Sequence, residues 1–116
     1  MVSRESIMEK WENTNSMKIY KVEWLELFAK IETVKASITK DSYKFYGMDN
    51  NAKIISYLLG NPSDTPEEAE ILIGSIYEND DKISFYTEKY EDKEFCFFYN
   101  CETEYKNKKI IFPWEI

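Results

Sequence analysis

The sequence predicts an α+β domain in which helices pack on one face of an antiparallel sheet, in the approximate order α-α-β-β-α-α-β-β-β. Three observations carry that expectation. Apolar residues recur at three and four in the first third of the chain, whereas the last third alternates apolar and polar residues in short runs. Turn-forming residues separate the runs, at Asn13-Thr14-Asn15, Asn61-Pro62-Ser63-Asp64 and Asn107-Lys108. Helices, a hairpin, two further helices and a three-stranded meander then make an α+β arrangement.

Ser3 caps a short helix to about Glu12, with Ile7, Met8 and Trp11 on one side. Ser16 caps a second, in which Met17, Tyr20, Trp24, Leu27, Phe28 and Ile31 share a face. Residues Tyr20–Trp24 also alternate like a strand, but the adjacent Trp24-Leu25 pair breaks the alternation and favours the helix. The period then changes: Val34–Thr39 and Tyr43–Phe45 predict two short strands around Lys40-Asp41-Ser42, closed off by Gly47. A helix starting at Asn50 or Asn51 carries Ala52, Ile55, Leu58 and Leu59 and stops at Gly60.

The fullest helix-start signal is Thr65-Pro66-Glu67-Glu68, with a capping Thr, Pro in the first turn and a Glu placed to complete a capping box. Ala69, Leu72, Ile73, Ile76 and Tyr77 form the apolar face of the helix it predicts. The remainder reads as sheet: Ile83–Thr87, a turn at Glu91-Asp92-Lys93, the aromatic run Phe95–Cys101, and Ile110–Trp114, which Pro113 marks as an edge strand.

The chain of 116 residues is the size of one domain, 1–116, with 43% hydrophobic and 32% charged residues. Aromatics are abundant, at 16%. The N-terminus runs into charged sequence without an apolar h-region, and no apolar run approaches a membrane span, so a cytoplasmic location is expected. Cys96 and Cys101 have no histidine or further cysteine to complete a zinc set and are expected as free, buried thiols. Fourteen lysines against one arginine, with plentiful Ile, Asn, Glu and Tyr, is what A/T-rich codons produce, as in a low-GC bacterium, its phage or a mobile element.

The net charge of −7 is unevenly spread. Residues 1–60 carry +1 and residues 105–116 carry +2, whereas residues 61–104 hold thirteen acids against Lys82, Lys89 and Lys93, a net of −10. Such a segment repels nucleic acid and attracts basic surfaces. Without histidine there is no His-based acid–base pair, nucleophile or metal ligand, and three isolated glycines make no phosphate-cradling loop. No enzyme activity, cofactor, metal, membrane or direct nucleic-acid binding is expected. Tyr77, Tyr86, Tyr90, Tyr99 and Tyr105 are interleaved with the acids, and tyrosine among carboxylates suits docking on a basic protein.

The predicted partner-binding residues are Glu78, Asp80, Asp81, Tyr86, Glu88, Tyr90, Glu91, Asp92, Glu102 and Glu104. The expected function is that of a small acidic inhibitor: an immunity protein that neutralises a bacterial toxin of nuclease type by masking its basic surface. Two alternatives share the chemistry in part: a phage-encoded DNA mimic that antagonises a DNA-binding defence complex, and a non-inhibitory adaptor subunit.

Overall fold

The computed structural model describes residues 18–38 and 42–115. The expected helix from Ser3 to Glu12, the Ser16 cap and the hairpin residues Thr39 to Asp41 lie outside them. Within the described residues the order is β1 (Lys18–Lys21), α1 (Trp24–Ser37), β2 (Phe45–Gly47), α2 (Asn50–Leu59), β3 (Ile71–Tyr77), α3 (Asp81–Lys89), β4 (Glu94–Asn100) and β5 (Lys108–Ile111), followed by a 3-10 turn at Pro113–Glu115.

The predicted antiparallel sheet is not what forms. β2, β3 and β4 make one parallel sheet in that order, and β1 pairs with β5 in a separate parallel ribbon. The largest correction falls on the run after Thr65-Pro66-Glu67-Glu68. That signal yields a single turn, with Ala69 N–H bonded to Pro66 O at 3.3 Å, and the predicted helix face becomes β3. Ile71 through Ser75 is buried without a break, as expected of the central strand of a parallel sheet covered on both faces. Its near-continuous apolar run satisfies helical spacing equally well, and β-branched isoleucines favour the strand.

Four further elements differ from expectation. Lys18–Lys21, expected inside the second helix, is strand β1 paired with β5, and α1 starts only at Trp24, so the alternation of Tyr20–Trp24 that favoured a strand prevails there. The predicted strand Ile83–Thr87 is α3, because Asp80 caps it: its carboxylate accepts the Ile83 N–H at 2.8 Å. The predicted strand at Val34 is the last turn of α1, which runs on to Ser37. The predicted edge strand Ile110–Trp114 is β5 up to Ile111, and Pro113 opens a 3-10 turn. The α2 helix does end at Gly60, whose φ of 104° is the left-handed conformation that glycine reaches without a Cβ clash.

Side chains on alternate residues of β3 point to opposite faces. Ile71 and Ile73 join Leu27 and Ile31 of α1 and Ala52, Ile55 and Leu59 of α2 in the main core. Leu72 faces the other way and packs with Met48 and Tyr90, against which Tyr46, Tyr86, Phe95 and Phe97 lean. Helices α1 and α2 therefore cover one face and α3 the other. Because β2, β3 and β4 lie side by side in chain order, crossovers on opposite faces have opposite hands, a departure from the right-handed norm. Full burial of Leu27, Ile55 or Ile73 stabilises the fold by about 1.5–3 kcal/mol each. No residue of α3 is buried, so that helix is held chiefly by its cap and by Tyr86.

A tyrosine cluster joins the two sheets. Tyr99, fully buried, donates its hydroxyl to Glu26 Oε2 at 2.6 Å, and Tyr20 donates to Glu26 Oε1 at 2.7 Å. Tyr105 lies edge-on to both rings, 5.0 Å from Tyr99 and 5.2 Å from Tyr20. The Lys30 ammonium stands 4.5 Å over the Tyr99 ring and donates to the Phe98 carbonyl. One carboxylate thus ties β1 and β4 to α1.

These bonds have a pH signature. The Glu26 carboxylate, then burial, push the Tyr20 hydroxyl up to about 12, and burial with the same carboxylate raises Tyr99. Folded tyrosines then stay protonated where the unfolded chain ionises, near the ordinary value of 10.0. Their stabilisation is complete below pH about 10 and is lost as pH rises toward about 12. Urea melts should show a midpoint that falls across that window, with tyrosinate absorbance rising together with unfolding. Ionisation of Tyr20 and Tyr99 themselves near pH 10 without loss of structure, read as the difference from Tyr20→Phe and Tyr99→Phe chains, would contradict the cluster.

Cys96 and Cys101 are free and half-buried, not fully buried as expected, and desolvation raises both thiols. The extended strand carries the chain about 13 Å between Cys96 and Asn100, beyond the roughly 7 Å that a disulfide spans.

Candidate protein-interaction surface

Parallel pairing sorts the acidic segment into two groups. At the amino ends of the strands, Ile71 pairs with Glu94, and Glu94 N–H bonds to Glu70 O at 3.3 Å. This register places Glu67, Glu68 and Glu70 beside Glu91, Asp92 and Glu94. At the carboxyl ends, Tyr77 pairs with Asn100 and Cys101 N–H bonds to Tyr77 O at 2.9 Å, which brings Glu78, Asp80 and Asp81 beside Glu102 and Glu104. Seven-residue strands separate the two groups by about 20 Å. Helix α3 starts at the carboxyl-end group and finishes, at Glu88, toward the other.

Some of these carboxylates are occupied by the fold. Asp80 caps α3, and Glu102 Oε1 accepts the Asn79 N–H at 2.8 Å. Glu67 accepts the Tyr90 hydroxyl at 2.7 Å, and Glu70 accepts the Lys44 N–H. That tyrosine bond holds the Glu67 carboxyl below its usual range and pushes Tyr90 up to about 12. Lys93 donates to the Glu67 and Ala69 carbonyls at 2.9 and 2.6 Å, so its charge is anchored in the amino-end group.

Glu78, Asp81, Glu88, Glu91, Asp92 and Glu104 differ. All six are exposed, and their side chains bond to no other described residue. Among the described residues the ion pair is Lys35–Glu32 at 3.9 Å, outside the acidic segment.

The tyrosines predicted to accompany them face inward. Tyr90 is buried, Tyr86 is half-buried and stacks on Tyr90 at 6.1 Å, and Tyr77 packs edge-on to Phe97 at 4.9 Å. Tyr46 raises the Tyr86 hydroxyl to about 12 by hydrogen bonding, and burial adds to this. Tyr99 and Tyr105 belong to the sheet junction. The aromatic that α3 does present is Phe85, 56% exposed, with Asp81 four residues before it and Glu88 three after. Its neighbours in sequence hid it: Phe85 and Tyr86 alternate in a strand, whereas on a helix Ile83, Tyr86 and Tyr90 take the inner side and Phe85 turns outward.

Trp24 and Phe28, expected on one face with Leu27 and Ile31, are instead exposed beside Leu25 on α1, an apolar group that sequence reasoning missed. Its signal was present, because Trp24, Leu25, Leu27, Phe28, Ile31 and Val34 span more than one helical stripe.

Two concavities accompany these surfaces. One, of about 290 Å³, runs between α1 and β4 and is lined by Ala29, Thr33, Val34, Cys96 and Phe98 among others. A second, of about 180 Å³, opens at the carboxyl ends of the strands beside Asp49, Glu78 and Asp80. Both fall below the roughly 300–1,000 Å³ of ordinary small-molecule sites. No group of three or more Cys, Asp and Glu among the described residues is arranged to hold a metal ion, and no described helix is long and apolar enough to cross a membrane. No family model matches this chain, and no curated protein is detectably similar to it in sequence.

Proposed function

We propose that this protein is an inhibitor that binds a basic protein partner through α3 and the carboxylates flanking it, as an immunity protein does in neutralising a nuclease-type toxin. The observation that carries this reading is the set Glu78, Asp81, Glu88, Glu91, Asp92 and Glu104, exposed and bonded through their side chains to no other described residue, with Phe85 exposed on α3 between Asp81 and Glu88. Nuclease surfaces are positive because they bind phosphate backbones. An acidic inhibitor gains fast, steered association and orientation from that field, and a central apolar side chain supplies contact energy. Lys82 and Lys89 on α3 interrupt the acids between the two groups, which suits a two-patch docking face better than the unbroken strip required of a DNA mimic.

The test is stopped-flow association with the product of the gene adjacent to this chain's, expected to carry a basic nuclease domain. Raising salt from about 0.05 to about 0.5 M should slow association at least tenfold and leave dissociation nearly unchanged, and one equivalent should abolish nuclease activity. A nuclease that stays active under saturating protein, or an association rate indifferent to salt, contradicts the reading.

A further inference from the structure

The concavity at the carboxyl ends of the strands has apolar walls and a charged mouth. Its walls are buried or half-buried: Gly74 and Ile76 of β3, Phe97 of β4, Ile83 and Tyr86 of α3, and Met48. Gly74 opens it. It follows Leu72 on the β3 face that α3 covers, and it carries no side chain. The Phe97 ring lies so close over Gly74 that a Cβ there would collide with it. Helix α3, none of whose residues is buried, leaves the space beside that ring open.

At the mouth, Glu78, Asp80 and Lys82 are exposed and Asp49 is half-buried. Asp49 and Asp80 cap α2 and α3, so the positive end of each helix, about half a charge, offsets part of each carboxylate. Asp49 is held further by Ser75, whose N–H and hydroxyl donate to it at 3.1 and 2.8 Å. The Glu78 side chain bonds to no other described residue. Three carboxylates against one ammonium and two helix ends leave the mouth about one charge negative. Asp81 at the start of α3 adds to this, as does the turn after β4, with Glu102 and Glu104 against Lys106.

Size and chemistry together select the guest. A cavity of about 150 Å³ takes a group of benzene's size, so one of about 180 Å³ takes a single amino-acid side chain. Apolar and aromatic walls under a negative mouth call for a long apolar stem that ends in a cation. Arginine meets both demands better than lysine. Its planar, weakly hydrated guanidinium lies flat on aromatic rings and donates sideways to carboxylates, whereas an ammonium keeps its water. Arginine is also among the side chains that carry most binding energy when they enter a partner's pocket.

We infer that this pocket receives an arginine side chain of the basic partner, with the guanidinium against the Phe97 and Tyr86 rings and its N–H groups donating to Glu78. The inference rests on the reading that a basic protein docks on the α3 face, and it names the residue which that protein inserts.

The probe is N-acetyl-arginine methylamide, titrated into the isotope-labelled full chain and followed by amide NMR shifts. Saturating shifts are expected at Gly74, Ile76, Ile83 and Phe97, with a dissociation constant on the order of 1–10 mM. The citrulline analogue, which has the same shape without the charge, should bind at least about tenfold more weakly. Glu78→Gln alters an exposed side chain, so circular dichroism should match the wild type while arginine binding weakens at least about fivefold. Shifts that do not saturate by about 50 mM, or that spread equally to Glu91 and Asp92 at the other ends of the strands, overturn the inference. Equal binding of citrulline, or equal arginine binding by Glu78→Gln, overturns it as well. The titration also separates this inference from the reading beneath it. Saturable arginine binding by a protein that inhibits no adjacent nuclease keeps the pocket and removes the inhibitor, and inhibition by a protein whose pocket ignores arginine does the reverse.

Discussion

Gly47→Ala should cost the fold about 3 kcal/mol or more, enough to remove a large share of an ordinary domain's stability. Gly47 ends β2 where α2 crosses it, and a Cβ built there meets the Lys53 backbone nitrogen and lies 2.5 Å from the Ala52 carbonyl carbon. Backbone atoms of a packed helix have no rotamer to escape into, so the whole of α2 must move. Two consequences follow from that displacement. Ala52 and Ile55, both fully buried, lose their seats in the main core. Asp49, which accepts from Ala52 N–H at 2.8 Å and from the Ser75 hydroxyl at 2.8 Å, no longer ties the start of α2 to β3.

The other two glycines calibrate the expectation. At Gly74 the new methyl meets the Phe97 ring, a side chain that can rotate, and at Gly60 it meets nothing but forces a residue into φ 104°. Those substitutions should each cost about 1–2 kcal/mol. Urea melts of the three variants should therefore rank Gly47→Ala as the most damaging by a clear margin. A Gly47→Ala chain as stable as Gly60→Ala would mean that α2 does not rest on β2 as described.

The helix from Asn50 to Leu59 and the aromatic strand around Phe95–Cys101 were legible in the sequence because each carries its own punctuation. Gly60 stops the first, and a polar turn precedes the second. What misled was a local signal overruled by burial. Thr65-Pro66-Glu67-Glu68 is a sound helix start, yet the residues behind it serve the centre of a parallel sheet, where burial on both faces erases the period-two pattern. Misplacing β3 also hid the parallel topology, since the chain no longer read strand–helix–strand. The acidic segment survived the error because charge needs no secondary structure to be counted. Its subdivision did not, because only the pairing of Ile71 with Glu94 and of Tyr77 with Asn100 shows which carboxylates are neighbours. Nor could the sequence distinguish Glu102 and Asp80, which bond to backbone, from Glu104 and Asp81, which do not.

That distinction determines how the acidic face should be probed. Reversing Asp80 would remove the α3 cap, at a cost of about 0.5–2 kcal/mol, and confuse a lost fold with a lost contact. The cleaner variants are Glu78→Lys, Asp81→Lys and Glu104→Lys together at the carboxyl ends of the strands, and Glu91→Lys with Asp92→Lys at the amino ends. These side chains are exposed and make no bond to another described residue, so melting curves should move by less than about 0.5 kcal/mol per site. Each set replaces attraction by repulsion against a basic partner, where like charges brought together cost several kcal/mol, so the triple variant should weaken binding on the order of a hundredfold or more. Most of that loss should appear in the association rate at low salt and shrink as salt is raised. Phe85→Ala should act differently, raising the dissociation rate with little effect on association, by about 2 kcal/mol if the ring is the apolar centre of contact. Comparing the two carboxylate sets then locates the partner along α3: equal losses mean that it spans both ends, and a loss confined to one set means that it docks there. Full-strength binding by both reversed sets and by Phe85→Ala would exclude this face, leaving the carboxylates a role in solubility alone.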